Sequence, residues 1–201
     1  MVQSVLQFSH ALLAESVKQG ESVIDATCGN GHDTLFLSNL VGENGTVYAF
    51  DIQKQAIEST EQLLQANQRK NTQLIMDDHV NISKHISSAE IAGAIFNLGY
   101  LPKGDKKLIT KQETTIPAIE NILKQLKHSG YVVLVVYHGH PGGKEEMIAL
   151  LDFSRQLDQK RYHVLKYDFI NQKKQPAICT CHSKDIAIYK KRTVQFYFCF
   201  K

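Results

Sequence analysis

The stretch ESVIDATCGNGHDT, residues 21–34, carries a short apolar strand through a glycine-bearing turn into a helix. Ile24 closes the apolar run, Asp25 stands at its tip, and Gly29 and Gly31 let the backbone pass close to a ligand. Twenty residues beyond Gly31, at the end of the next apolar run TVYAF, stands Asp51, where a carboxylate can take both hydroxyls of a ribose. Strand, glycine turn, helix and distal acid together describe a nucleoside pocket at the carboxyl edge of a parallel sheet.

Working outward, the chain reads as a helix followed by repeated strand–helix units. Strands are expected at 21–26, 46–51, 72–76, 91–97, 130–137, 163–170 and 185–190, with helices near 4–18, 32–41, 53–68, 79–87, 109–128 and 143–159. The run YVVLVVY at 131–137 is apolar throughout, the pattern of a strand buried on both faces of a parallel sheet. This alternation points to a doubly wound α/β domain spanning 1–201 with helices on both faces. Residues 177–185 read as polar and irregular. The tail TVQFYFCFK could add an edge strand, pack on a partner or stay loosely ordered.

At 201 residues the chain can bury a two-sided core. No apolar run approaches the roughly 20 residues needed to cross a bilayer, and the N-terminus lacks a basic signal region, so a cytoplasmic location is expected. Four cysteines are too few and too uneven for a disulfide framework. Cys179-Thr-Cys181-His182 has the wrong spacing for a zinc site and no second pair, so no metal is expected. A net charge of +3 is compatible with a nucleic-acid substrate without pointing to one; the clusters around Lys103–Lys111 and Lys173–Arg192 also suit a solvated surface.

Two cofactor classes compete for the turn. A dinucleotide fold wants a third glycine, and here Thr34 replaces it while Asp33 sets a negative charge in the first helical turn. A pyrophosphate would meet that carboxylate at close range. S-adenosylmethionine carries no phosphate, and its sulfonium and amino groups are cationic, so Asp25 and Asp33 suit it. Thr27, Cys28, Gly29, Asn30, Gly31 and Thr34 form the surrounding turn. Asp78 and His79, after the third strand, can border the adenine, although Asp78 would equally cap a helix. Gln53 can border ribose and adenine.

The fourth strand ends in Asn97-Leu-Gly99-Tyr100-Leu-Pro102. This is similar to the Asn-Pro-Pro-Tyr loop of class I methyltransferases that act on exocyclic amines, with Leu98-Gly99 in place of the prolines. An amine nucleophile needs acceptors that orient its lone pair. The Asn97 carboxamide oxygen and the Leu98 carbonyl can supply them, Gly99 can border the cofactor, and Tyr100 can stack on a base. The same segment also reads as a plain strand-ending turn. After the fifth strand, YHGHPGGK brings His138 and His140 to the same edge, where either could take a proton from an alkylammonium or simply hold the loop. Lys103, Lys106 and Lys107 are placed in sequence for RNA phosphates.

On DATCGNGHDT, Asp51-Ile-Gln53, Asp78-His79, NLGYLPKGDK and YHGHPGGKEE, the chain resembles a family of small bacterial class I methyltransferases long labelled rRNA methylases. Members of that family methylate the amine of 5-aminomethyl-2-thiouridine at the tRNA wobble position. The resemblance implies a Rossmann-like fold with a seven-stranded, mostly parallel sheet. It also implies S-adenosylmethionine as cofactor, a tRNA anticodon arm as substrate and a homodimer. The residues read above make Asn97, Tyr100 and His138 the expected amine-transfer site. The alternatives are an rRNA base or small amine as substrate, a nicotinamide-dependent oxidoreductase, and a non-catalytic RNA-binding module.

Overall fold

The computed structural model describes residues 2–86, 90–101, 108–169, 177–184 and 199–200. Helix α1 (Val5–Ser16) starts at a capping box: the Ser4 hydroxyl accepts from the Gln7 N–H while the Gln7 side chain accepts from the Ser4 N–H. Then follow β1 (Ser22–Asp25), α2 (His32–Val41), β2 (Thr46–Phe50), α3 (Lys54–Ala66) and β3 (Thr72–Ile75). A 3₁₀ turn at His79–Asn81 leads through α4 (Ile82–His85) to β4 (Ile91–Leu98), α5 (Gln112–Gln125) and β5 (Leu126–Tyr137). The chain continues with α6 (Gly143–Gln156), β6 (Tyr162–Tyr167), β7 (Ala177–Lys184) and β8 (Cys199–Phe200).

The strands form one sheet in the order β3-β2-β1-β4-β5-β7-β6, with β8 pairing β7. The five strands from β3 to β5 are parallel, and β7 joins β5 and β6 antiparallel. The sheet is therefore parallel over five strands and mixed at one edge. Alternation along β5 explains its continuous apolar run. Val132, Leu134 and Val136 join one core with α4, α5 and α6, whereas Val133 and Val135 join the other with α1 and α2. Both faces are covered, so no polar position is tolerated there. Among the described residues no helix is long and apolar enough to cross a membrane.

Two departures from the sequence expectation bear on the sheet. Strand β5 begins at Leu126 rather than 130, because a register shift opposite Ile91–Gly93 and a left-handed Ser129 (φ 60°) absorb extra residues as a bulge. Residues 177–184, expected to be irregular, form β7; the strand expected at 185–190 falls outside the described residues. Strand β7 is paired on both sides, so sheet hydrogen bonding overrides the weak local preference of AICTCHSK. Its His182 is fully buried, with Nε2 3.0 Å from the Ser154 hydroxyl.

Candidate active site

Strand order reverses between β1, which runs on to β2 and β3, and β4, which runs on to β5. The loops leaving the carboxyl ends diverge there, and a cavity of about 980 Å³ opens.

Its first wall is the turn after β1. Gly29 (φ 52°) and Gly31 (φ 83°) adopt left-handed backbone, and a Cβ on Gly31 would come within 2.9 Å of the Thr60 Cα. Glycine is required by that close approach of α3. The Thr60 hydroxyl donates to the Gly29 carbonyl at 3.2 Å. Asp51 accepts from the N–H groups of Gly29 (3.0 Å) and Gln53 (2.9 Å), one on each oxygen. Burial raises its carboxyl above the usual range against those two bonds. A carboxylate has about four lone-pair sites, so Asp51 keeps acceptors for a diol. Asp78 caps the 3₁₀ turn through Val80 N–H at 2.9 Å and also borders the cavity. His79 is buried beside it, 3.3 Å from the Thr114 hydroxyl, and burial lowers its pKa.

The second wall is built from the ends of β4 and β5. The Asn97 N–H donates to the Thr27 hydroxyl at 2.7 Å, locking this strand tip to the turn. The Asn97 side-chain NH₂ donates to Asp33 Oδ2, and Asp33 Oδ1 is 2.6 Å from His10 Nε2. Asn97 Oδ1 is buried and has no partner. Gly99 (φ 151°) donates its N–H to the Thr110 hydroxyl at 3.0 Å; that hydroxyl donates to Glu146 at 2.8 Å, and Thr115 donates to the other Glu146 oxygen at 3.0 Å. Glu146 is fully buried at the start of α6, and burial raises its carboxyl. His140 Nδ1 lies 3.0 Å from the Pro141 carbonyl, which can only accept, so Nδ1 carries a proton and the neutral ring has its lone pair on Nε2. That Nε2 is buried without a partner. Tyr100 stands edge-on to the His140 ring at 5.8 Å and is half exposed, as is Tyr137. Burial, and next the Asp33 charge, raise the Tyr137 hydroxyl.

Most of the residues singled out in the sequence meet here. Thr27, Cys28, Gly29, Asn30 and Asp33 line the cavity from the turn, Asp51, Gln53, Asp78 and His79 from the β2 and β3 ends. Asn97, Gly99, Tyr100 and His140 line it from the β4 and β5 ends. Four do not line it. Asp25 is fully buried beneath the turn, accepting from the Thr27 N–H at 3.2 Å and the Thr34 hydroxyl at 2.6 Å. It braces the turn instead of facing a ligand, and burial, then the Asp33 charge, push its carboxyl up to about 7. Thr34 is spent on that brace, and Gly31 faces Thr60. His138 does not line the cavity, and burial and then the neighbouring His140 lower its pKa; the imidazole at the cavity is His140. Lys103, Lys106 and Lys107 lie outside the described residues. Among the described residues no three His, Cys, Asp or Glu side chains gather to hold a metal.

Sequence reading missed His10, Thr60, Tyr137 and Glu146. His10 lies 23 positions from Asp33 on an ordinary amphipathic helix, and Glu146 reads as a routine acid in a first helical turn. No local pattern marks either one. Only Tyr137, ending an apolar strand beside the histidine loop, carried a usable signal.

Residues 47–183 match the family model described as "Putative rRNA methylase". Residues 2–90 also match that of protein-L-isoaspartate(D-aspartate) O-methyltransferase. The chloroplastic tRNA (mnm(5)s(2)U34)-methyltransferase of Arabidopsis thaliana is 37% identical over 182 residues, 86% of this chain; the chain spans 66% of that relative's length. A Clostridium thermocellum crystal structure bearing the same rRNA-methylase description superposes with TM-score 0.89 at 42% identity, covering 92% of this chain and 99% of that one. A Streptococcus mutans methyltransferase solved in complex with SAH gives TM-score 0.85 at 39% identity over the same shares.

Proposed function

Because the chain belongs to the "Putative rRNA methylase" family and has its Rossmann-like methyltransferase fold, we propose that it methylates a primary amine on tRNA. The donor in this reading is S-adenosylmethionine. The substrate is 5-aminomethyl-2-thiouridine at the wobble position, and the product its methylaminomethyl form. The substrate named for the Arabidopsis relative and the SAH bound by the Streptococcus mutans structure support these choices. One observation carries the reading: the buried Asn97 Oδ1 on the cavity wall lacks a partner. An orphaned buried acceptor costs roughly 1–3 kcal/mol, a cost that an incoming N–H removes.

The cavity fits the cofactor. Asp51, pinned by two backbone N–H groups, would hold the ribose hydroxyls; Gln53, Asp78 and His79 would border the adenosine, and the Gly29 turn the amino-acid end. When bound, the sulfonium supplies an electrophilic methyl group. The protein's share is orientation and proton handling. An alkylammonium first gives a proton to His140 Nε2, the ring nitrogen left bare by the Pro141 contact. The freed amine keeps two N–H bonds, which Asn97 Oδ1 and the Leu98 carbonyl accept, aiming the lone pair. The bound cofactor would supply its methyl group to that lone pair and would leave as the thioether SAH, with the sulfur keeping the C–S electron pair. Tyr100 and Tyr137, half exposed at the rim, offer faces for an unpaired base, which an anticodon loop presents without duplex opening.

Phosphate contacts by Lys103, Lys106 and Lys107, a homodimeric assembly and a cytoplasmic location belong to the same proposal. Nucleoside mass spectrometry on cells lacking the protein tests it. Accumulated 5-aminomethyl-2-thiouridine supports the reading; an unchanged wobble nucleoside sinks it.

A further inference from the structure

Resting on that reading, we infer that His10 and Asp33 form a positioning pair that fixes which end of the Asn97 carboxamide meets the nucleophile. It thereby makes the site selective for a nucleophile that carries N–H donors. A carboxamide has two ends of opposite character on one rotatable bond. Turned one way, Asn97 offers an acceptor to the cavity; turned the other, it offers two donors that would repel an amine's N–H bonds. Asp33 removes the choice. Its carboxylate only accepts, so the Asn97 NH₂ must face it, and Oδ1 is the end left without a partner on a residue that lines the cavity. The reverse orientation would set oxygen against carboxylate and forfeit a charge-assisted bond.

Asp33 can impose this only if it stays in place. Its second oxygen is held by His10 Nε2 at 2.6 Å. The His10 ring is itself clamped, lying flat on Phe36 with centroids 3.9 Å apart and planes within 2°. Phe36 and Asp33 share helix α2, and His10 comes from α1. His10 on the first helix thus begins a chain of contacts, His10 to Asp33 to Asn97, that ends at the proposed amine-orienting carboxamide. Asp33 is nearly buried, so its bonds are little weakened by solvent.

His10→Ala and His10→Gln test the pair, since a glutamine amide can replace the imidazole donor. Each variant is assayed for kcat and KM on tRNA carrying the aminomethyl group, and for SAH affinity by calorimetry. The Asn97 side-chain NH₂ signal is followed in ¹H–¹⁵N spectra and identified by its loss in Asn97→Asp. His10→Ala is expected to lower kcat about tenfold, with KM and SAH affinity within about twofold, while NH₂ exchange with water speeds by about tenfold or more. His10→Gln is expected to recover most of both effects. Unchanged NH₂ exchange in His10→Ala overturns the pair. So does a fall in SAH affinity that matches the fall in kcat, or a glutamine variant no better than alanine. Wild-type protein that transfers no methyl to any RNA would defeat the amine-methylation reading alone, because the NH₂ exchange still decides on the pair.

Discussion

The two walls of the cavity handle their polar groups in opposite ways. On the wall from β1 to β3, Asp51, Asp78, Thr60 and the brace beneath them each bond within the protein. On the wall from β4 and β5, Asn97 Oδ1 and His140 Nε2 are buried and unpartnered, and among the described residues no other cavity-lining side chain leaves such an atom. A satisfied wall is a rigid mould; an unsatisfied one is waiting for partners that arrive with the substrate. The two family matches overlap on the first wall, over residues 47–90. Residues 2–90, which hold the satisfied wall, also match an O-methyltransferase family, while the unpartnered atoms lie beyond them. The mould is shared across chemistries, and the open acceptors belong to this one.

The largest effect expected from breaking this contrast is at Asn97. Asn97→Ala should lower single-turnover methylation by one to three orders of magnitude, about 1.4–4 kcal/mol of transition-state stabilisation, with SAH affinity nearly unchanged. Full turnover in that variant would mean the open acceptor is incidental. Next comes His140→Phe, which keeps a ring beside Tyr100 but removes Nε2. It should cost about tenfold at neutral pH, and the deficit should shrink toward pH ~10, where an alkylamine sheds its proton to water unaided. A deficit constant with pH would assign His140 to packing.

On the moulded wall the expected losses are in shape. Gly31→Ala would force a Cβ to 2.9 Å from the Thr60 Cα in left-handed backbone, strain of about 1–2 kcal/mol from the backbone alone. A lower melting temperature together with at least about tenfold weaker SAH binding is expected. Tight binding in a destabilised variant would separate the turn's folding role from its ligand role.

The same contrast explains what could be read from sequence. The moulded wall is contiguous: strand, glycines, helix and Asp51 fall within 31 residues, and backbone geometry dictates their types. Asn97 was legible because a strand tip with a polar amide is conspicuous in the otherwise apolar IAGAIFNL. What holds Asn97 was not, since His10, Asp33 and Asn97 come from three distant elements joined only by packing. Of the four residues that do not line the cavity, Asp25 and His138 were hidden for a related reason. Asp25 and His138 stand at strand ends as a ligand residue should, but the direction of a side chain at a tip is set by the next turn, which the strand pattern does not encode. Strand β7 was hidden because pairing on both sides, not apolar alternation, makes it a strand.

Asp25 gives the smallest and most diagnostic effect. If it is a sealed brace, it should behave as a carboxyl whose charged form the fold resists. Its folded pKa, about 7, lies above the unfolded value near 4. The unfolded chain therefore ionises first as pH rises, and wild-type stability falls between about pH 4 and pH 7. Asn cannot ionise, and it can still accept from the Thr27 N–H and donate to the Thr34 hydroxyl. The melting temperature of Asp25→Asn relative to wild type should thus climb through that window and level off above it. The climb should reach at least about 2–4 °C, the equivalent of one kcal/mol in a chain of this length. A difference that stays flat from pH 4 to pH 8 would mean Asp25 is charged throughout and reaches the ligand after all, and the moulded wall would then hold an open group of its own.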